Sequence, residues 1–385
     1  SAVLPGTRDE SWRYTDLKDL ARQSFSLVEA VPTSLVGAPE GWLSPADLNL
    51  VLANGLVATE FLPAALPAGV TVLTGAQAVQ AVCDERFGAV GINDAEFLVR
   101  LNDLHFRDIL LIDIARGVDV PAVINILHGL NEQSYGKAIF PRIVVRLAEG
   151  ARSRIFESSM FTGGQPAFMD AVLDIYLAPG AELEMVQSCR NGEQSMRFMS
   201  TRIAQQADSR LRSFFFTDGA EICRHNLSIR LEGAGAEAVV NGLHRLDGVR
   251  HADSHTFVEH IAPSSRSRQL YKTVIDGEAH SVFNGRILVR RDAQKTNSYQ
   301  LNKNLLLGRE ARVDAKPQLE IFADDVKCSH GATIGQLDED QLFYLGTRGI
   351  GRQESVRMLI RGFIDDVVGQ VVDPALRAKT VQSMG

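Results

Sequence analysis

Between residues 106 and 325 the chain alternates short apolar runs with small, turn-forming phrases. Ile109–Ile114, Ile143–Leu147, Val172–Leu177, Leu227–Leu231 and Ile287–Val289 are short and rich in β-branched residues, a pattern that predicts strands. A phrase recurs between such runs: AEGARSRI, APGAELEM, QQADSRLR, GAGAEAVV, DGEAHSVF and GREARVDA. Its small residue falls at Ala151, Ala181, Ala207, Ala236, Ala279 and Ala311, at spacings of about 30, 26, 29, 43 and 32 residues by subtraction, and repeats of that period signal solenoids. A short strand cannot bury its apolar face alone, but like coils stacked along an axis bury a continuous one. Gly then relieves the corner of each coil, and Ala lets neighbouring coils approach closely. The pattern therefore predicts a mainly β protein built as a β-helix, with a long β-sandwich as the alternative.

The flanks read differently. Over residues 1–105 helical and loop signals mix. Trp12, Leu17 and Leu20 suit one face of a short helix, with Asp16, Lys18 and Asp19 opposite, and Ala76–Val82 suits another. Pro32, Pro39, Pro45, Pro63 and Pro67 keep the elements between them short. Over residues 326–385 the helical period returns. Asp338 is a plausible N-cap for a helix through Leu345, which Gly346, Gly349 and Gly351 then break. Val356, Leu359, Ile360, Phe363, Ile364, Val367, Val368 and Val371 follow at helical spacing, and Pro374 is expected to end that helix. Three regions result: a mixed N-terminal region, 1–105; a β-helix core, 106–325; and a C-terminal helical domain, 326–385.

Charge and motifs narrow the function. The 385 residues carry a net charge of -7, which argues against non-specific nucleic-acid binding through phosphate neutralisation. The four cysteines, Cys83, Cys189, Cys223 and Cys328, form no CxxC pair and read as reduced thiols rather than a secreted disulfide framework. There is no apolar run long enough to span a membrane and no visible secretory signal pattern, so a cytoplasmic location is expected. No GxxxxGK[ST] occurs; GATIGQ at Gly331–Gln336 lacks the phosphate-reaching Lys. Nor is there a GxSxG elbow. A polysaccharide-active β-helix would need paired carboxylates along a groove, and Asp324 and Asp325, being adjacent, would face opposite ways on a strand.

Three clusters can carry metal chemistry. In VKCSHGAT, Cys328 and His330 stand two apart, so on a strand both emerge on one face. Thiolate and imidazole suit iron and zinc, but two ligands leave a tetrahedral site half filled. In HADSHTFVEH, His251, Asp253 and His255 also share a strand face, either as ligands or as a polar contact. Cys223 and His225 repeat the Cys-x-His spacing and read as structural; Cys83 and Cys189 read as lone small hydrophobes.

The stretch PQLEIFADDVKCSHGATIGQLDEDQLFYLGTRGIGRQESVRMLIRGFIDDVV, Pro317–Val368, resembles the C-terminal signature of the SufB/SufD family of iron–sulfur cluster assembly proteins. LPGTRDESWRYTDL at Leu4–Leu17 resembles the family's WRYT entry motif, and NSYQLNKNLLLG at Asn297–Gly308 is similar to its last core coils. The early WRYT motif, and the lack of a cysteine-rich N-terminal stretch, bring the resemblance nearer the SufD branch than the SufB branch. It implies a right-handed parallel β-helix flanked by N- and C-terminal helical regions. It also implies a non-catalytic scaffold in a SufB–SufC–SufD complex, with ATP hydrolysed by SufC, an ABC-type ATPase docked on the C-terminal helices. Tyr344, Arg348, Gly349, Arg352 and Phe363 are then the expected docking residues. SufB is expected to pair through the β-helix end, with a SufB cysteine facing His330, Cys328 beside it, and iron or a cluster held there transiently. A homodimer through the same face is expected for the isolated chain, with no membrane or nucleic-acid partner and no cofactor bound by the chain alone.

Overall fold

The computed structural model describes residues 4–28, 42–84, 97–131, 134–161, 167–190 and 194–385; Pro32 and Pro39 lie outside these. The chain enters through helix α1 (Lys18–Arg22), strands β1 (Ser26–Leu27), β2 (Leu48–Ala53), β3 (Leu56–Val57) and β4 (Val70–Thr74), and helices α2 (Gly75–Asp84) and α3 (Phe97–His105). Strands β5 (Leu110–Ile114), β6 (Ile124–Leu130) and β7 (Lys137–Ile139) lead into the repeat. Seven two-strand coils follow: β8 (Arg142–Leu147) with β9 (Arg152–Phe161), β10 (Ala167–Leu177) with β11 (Glu182–Arg190), β12 (Ser195–Gln205) with β13 (Arg210–Thr217), and β14 (Ile222–Leu231) with β15 (Glu237–Leu246). Then come β16 (His251–His260) with β17 (Arg266–Ile275), β18 (His280–Val289) with β19 (Asn297–Leu306), and β20 (Arg312–Ile321) with β21 (Lys327–Gly335). Helices α4 (Glu339–Thr347), α5 (Arg352–Val368) and α6 (Pro374–Met384) close the chain.

From β8 onward each strand pairs in parallel with the strand two places on, so even-numbered strands build one sheet and odd-numbered strands the other. This is a parallel β-helix, flanked by helices at both ends of the chain. Strands β2 and β4 of the N-terminal region join the two sheets, and β21 carries the coils on through Gly335.

Equal register stacks equivalent positions into columns. One inward column of the odd sheet reads Ile155, Met185, Ser213, Val240, Gln269, Gln300, His330. The first coils fill the interior with apolar side chains from both sheets, among them Ile143, Val145, Ile155, Leu173, Ile175, Leu183 and Met185. Each fully buried Leu, Ile or Val contributes about 1.5–3 kcal/mol. Towards the last coils the same columns turn polar, with Gln269, Gln300, Asn302 and Asn304 all buried.

The corner residues correct the sequence phase. The even-to-odd turns hold one residue at positive φ: Gly150, Gly180, Asp208, Gly235, Ser264 and Lys295, recurring every 27 to 31 residues by subtraction. A small residue follows each and is buried under the next coil: Ala151, Ala181, Ser209, Ala236, Ser265 and Thr296. Ser209, not Ala207, is therefore the equivalent position, and Ala279 and Ala311 belong to the other column of turns, from odd strand to even. Two columns of corners read as one produced the uneven spacings.

Two helical expectations also change. Trp12 lies in a single 3-10 turn, Glu10–Trp12, and Leu20 in α1, yet Trp12, Leu17 and Leu20 are buried together against Phe168, Met196, Phe198 and Ile222. Pro374 opens α6 and does not end α5, which stops earlier at Val368 with Gly369 as its C-cap: the Asp373 carboxylate accepts from the backbone N–H groups of Ala375 and Leu376, and Pro at the first helical position loses no hydrogen bond. Helix α6 is held to the odd sheet by Arg154–Asp373 at 2.9 Å and to the N-terminal region by Lys379–Asp47 at 2.5 Å.

A side chain at Gly242 would enter the Tyr271 ring, 2.2 Å away, and that ring is pinned by Phe283 at 4.8 Å between centroids. Gly242→Ala should therefore destabilise the fold by about 1–3 kcal/mol in denaturant unfolding, whereas Gly362→Ala, within α5 and with nothing within 4 Å of the added carbon, should cost less.

Candidate functional site at the open end of the solenoid

The coils stop at β20 and β21. Each is bonded on one side only, β20 to β18 and β21 to β19, so both sheets end in an open strand edge. Such edges are templates for pairing with another chain. Exposed apolar side chains surround this rim: Tyr299, Ile321, Phe322 and Ile334, with Phe322 62% exposed.

Cys328 and His330 do share a strand face, as their spacing predicts, and it is the inner face of β21. Cys328 continues the column Ser267, Ser298 and packs with Leu319 and Val326 on the last apolar layer. Burial pushes its thiol pKa up, against a hydrogen bond with the Ser298 backbone that lowers it. His330 crowns Gln300 and Gln269, which are linked by an Nε2–Oε1 contact of 3.4 Å. In any earlier coil the next rung would cover a residue so placed. Here the coils end, and His330 is exposed. Among the described residues no group of three or more His, Cys, Asp or Glu side chains is arranged to hold a metal ion. Cys328 and His330 thus offer two donors, short of a closed tetrahedral set.

The His251 cluster lies on the outer face of the even sheet and is engaged by the N-terminal segment. Thr15 Oγ1 donates to Asp253 Oδ2 at 2.6 Å and lies 2.9 Å from His251 Nε2. Arg224 donates to the same Asp253 oxygen at 3.0 Å and to the Ser11 carbonyl at 2.7 Å, with its guanidinium 3.9 Å from the Trp12 ring centre. His255 Nε2 sits 3.0 Å from Asp253 Oδ1. Burial opposes ionisation of Asp253, but His255 and Arg224 prevail and hold its carboxyl well below the usual range. The expected shared face is therefore real, but the Trp-Arg-Tyr-Thr segment occupies it as a strap. Glu10 extends the strap to Lys316 on edge strand β20.

Cys189 is not a lone hydrophobe: its Sγ lies 3.3 Å from that of Cys223, inside the solenoid. Sequence spacing gave no sign of this, because the two thiols come from strands of opposite sheets.

Helices α4 and α5 form a projecting hairpin. Asp338 caps α4 by accepting from the N–H groups of Asp340 and Gln341, as expected. Gly349, at φ +82, makes the turn, and Arg352 staples α5 to Glu339 at 2.9 Å. Arg348 donates to Tyr344 Oη at 3.1 Å and lies over its ring. The C-terminal half of α5 lies on the odd sheet, where Val367 and Val368 pack with Phe214, Phe216 and Leu243. Lys272 fixes it there, bonding the Phe363 carbonyl at 2.7 Å and Asp366 at 2.6 Å, with its ammonium 4.2 Å from the Phe363 ring centre. Phe363 is thus engaged within the chain, while Tyr344, Arg348, Gly349 and Arg352 stand on the projecting part. Phe343, 75% exposed and next to Tyr344, is the large apolar side chain there that the sequence reading missed.

An open-ended β-helix with a thiol and an imidazole on its last rung, and a projecting helical hairpin beside it, is the architecture of a scaffold. The family model described as "SUF system FeS cluster assembly, SufBD core domain" matches residues 128–363. The chain is 30% identical over 387 residues to the iron-sulfur cluster assembly protein SufD of Escherichia coli, covering 99% of this chain and 89% of that one. It is also 30% identical to an iron-sulfur cluster assembly SufBD family protein of Synechocystis, over 99% of this chain and 87% of the relative. To the chloroplastic protein ABCI7 of Arabidopsis thaliana it is 28% identical, over 98% and 81%. The chain belongs to the SufBD family of iron–sulfur cluster assembly proteins. No helix among the described residues is long and apolar enough to cross a membrane.

Burial lowers the pKa of His244, His251 and His260 from 6.5 to about 4, and that of His225 to about 3. A depressed His binds its proton more readily in the unfolded chain, so stability rises with pH through the window between the two values. Denaturant unfolding should show full stability above about pH 7 and a progressive loss from pH 6.5 towards 4. Asp253→Asn should weaken the strap and speed proteolysis within residues 4–22 at neutral pH, the protease digesting wild type more slowly.

Proposed function

We propose that this chain is the SufD-type, non-ATPase scaffold subunit of a SufB–SufC–SufD assembly. The open edges of β20 and β21 pair with the matching end of a SufB subunit, and His330 completes an iron or cluster site there with a SufB cysteine, Cys328 lying beside it. The observation that carries this reading is the uncovered pair of donors on a terminal rung: two ligands from this chain call for further ligands from another, and the same rung ends in backbone groups that only another chain can pair. Iron and sulfide are cargo at this surface, assembled and passed on. The same open edges support a homodimer when the chain is isolated.

ATP hydrolysis belongs to SufC, which docks on the α4–α5 hairpin through Tyr344, Arg348, Gly349 and Arg352, with Phe343 as a further apolar anchor. Phe363 acts from behind, holding α5 to the odd sheet through Lys272. Because the hairpin is continuous with α5, and α5 rests on the odd sheet, a pull by the ATPase on the hairpin is transmitted to the solenoid, and the rim opens to iron and sulfur. This domain division, with the helical hairpin as the docking part and the coils as the assembly part, follows the same reading.

His330→Ala should lower cluster formation in the reconstituted complex severalfold while leaving co-purification with SufB and SufC intact; an unchanged cluster yield would refute the role. Phe343→Ala should weaken SufC binding in calorimetry by about tenfold or more, as loss of an exposed aromatic anchor does, with unfolding stability unchanged; unaltered binding would remove SufC from this hairpin.

A further inference from the structure

Inside the solenoid, Cys189 on β11 faces Cys223 on β14 with 3.3 Å between the sulfurs. The two strands belong to opposite sheets, and both thiols are buried. Arg197 lies beside Cys223 in register on β12. It is one of the largest fully buried side chains, and none of its three guanidinium nitrogens has a hydrogen-bond partner among the described residues. An unpaired buried guanidinium is costly. Its charge lowers the pKa of the buried Glu157 carboxylate and also draws the neighbouring Cys223 thiol towards the thiolate. Thr217 Oγ1 donates to Cys223 Sγ at 3.4 Å, adding a second donor to the sulfur pair.

We propose that Cys189 and Cys223 are an internal dithiol that a peroxide oxidises to a disulfide, with Arg197 as the positioning group whose charge favours the thiolate form of the pair. This goes beyond cluster assembly and does not depend on the role of His330. The two sulfurs are in contact; that contact and burial push the Cys223 thiol up, and the first ionisation is assigned to Cys189. The Cys189 thiolate attacks one peroxide oxygen and the O–O bond breaks. The departing hydroxide takes up the thiol proton and leaves as water, and Cys189 becomes a sulfenic acid. Cys223 then attacks the Cys189 sulfur, the S–O bond breaks, and the Cys223 proton leaves with that oxygen as a second water. Two electrons pass from the two sulfurs to one peroxide. The sulfurs must close from 3.3 Å to about 2.05 Å. The product ties the even sheet to the odd sheet in the middle of the solenoid. With both thiols buried, the proposal requires a small oxidant such as hydrogen peroxide and excludes a bulky disulfide such as oxidised glutathione.

The test treats the full-length reduced protein with hydrogen peroxide, blocks remaining thiols after denaturation, and maps the peptides by mass spectrometry. Cys83 is exposed and serves as the internal control for oxidant. The expected result is a Cys189–Cys223 cross-linked peptide formed in the folded protein, reversed by dithiothreitol, with a rise in Tm of several degrees. Cys223→Ser should instead gain one oxygen at Cys189 and no cross-link. Arg197→Leu should slow cross-linking by on the order of tenfold, the change one unit of thiol pKa produces, and Arg197→Lys should restore most of the rate. Oxidised glutathione should modify Cys83 and leave the pair reduced. Oxidation of Cys83 without the cross-link, or a cross-link formed only in denaturant, would overturn the proposal. An equal rate in Arg197→Leu would remove Arg197 from it. Should that variant not fold, the pH dependence of the wild-type rate stands in: a rate rising only near the ordinary thiol pKa of about 8.5 would equally exclude a stabilised thiolate.

Discussion

Everything here depends on the backbone hydrogen bonds between successive coils. A strand in this solenoid is satisfied on both sides only while another coil lies beyond it, and equal register forces each side chain onto its equivalent in the next rung. The constraint makes the interior one continuous core from short strands that could not be stable singly. It also guarantees that the last rung is unfinished. The edge at β20 and β21 is thus the necessary consequence of the architecture, and the place where a second chain gains most by adding backbone pairs.

The same stacking explains why the interior changes character along the axis. Near β8 to β11 the inward columns hold Ile, Leu, Val and Met. Near the end they hold Gln269, Gln300 and Asn302, whose amides are bonded along the axis, with Asn304 reaching to the Thr333 carbonyl on β21. A polar stack can end at water without the penalty an apolar stack would meet there. Polar rungs leading up to His330 therefore suit a rim that is open in the free chain. The outer faces are used differently. The even sheet carries the N-terminal strap on Asp253 and Arg224, and the odd sheet carries α5 and α6, so partner elements added at the rim meet a body already braced on both sides.

Side-chain contacts decide which parts of the C-terminal region can reach a partner. Lys272 is 3% exposed and bonded to both Phe363 and Asp366, which anchors the far half of α5 firmly. The near half and α4 are held chiefly to each other, through Arg352 and Glu339. One helix is thereby divided into an anchored and a projecting segment, a division that its uniform apolar stripe does not reveal.

The sequence by itself determined the local rules: β-branched runs, a recurring small-residue corner phrase, the Asp338 cap, and the placement of Cys328 and His330 on one face of a strand. These are legible because they depend on neighbours a few residues apart. Tertiary structure alone decided what lies beside what across the coils. It replaced Ala207 with Ser209 in the corner column, because only stacking distinguishes the two kinds of turn. It set Thr15 against His251 and Asp253, 236 and 238 residues away, brought Cys189 to Cys223, and left His330 uncovered. Each of these depends on register between strands about thirty residues or more apart, and no local pattern of side chains encodes which rung will be the last.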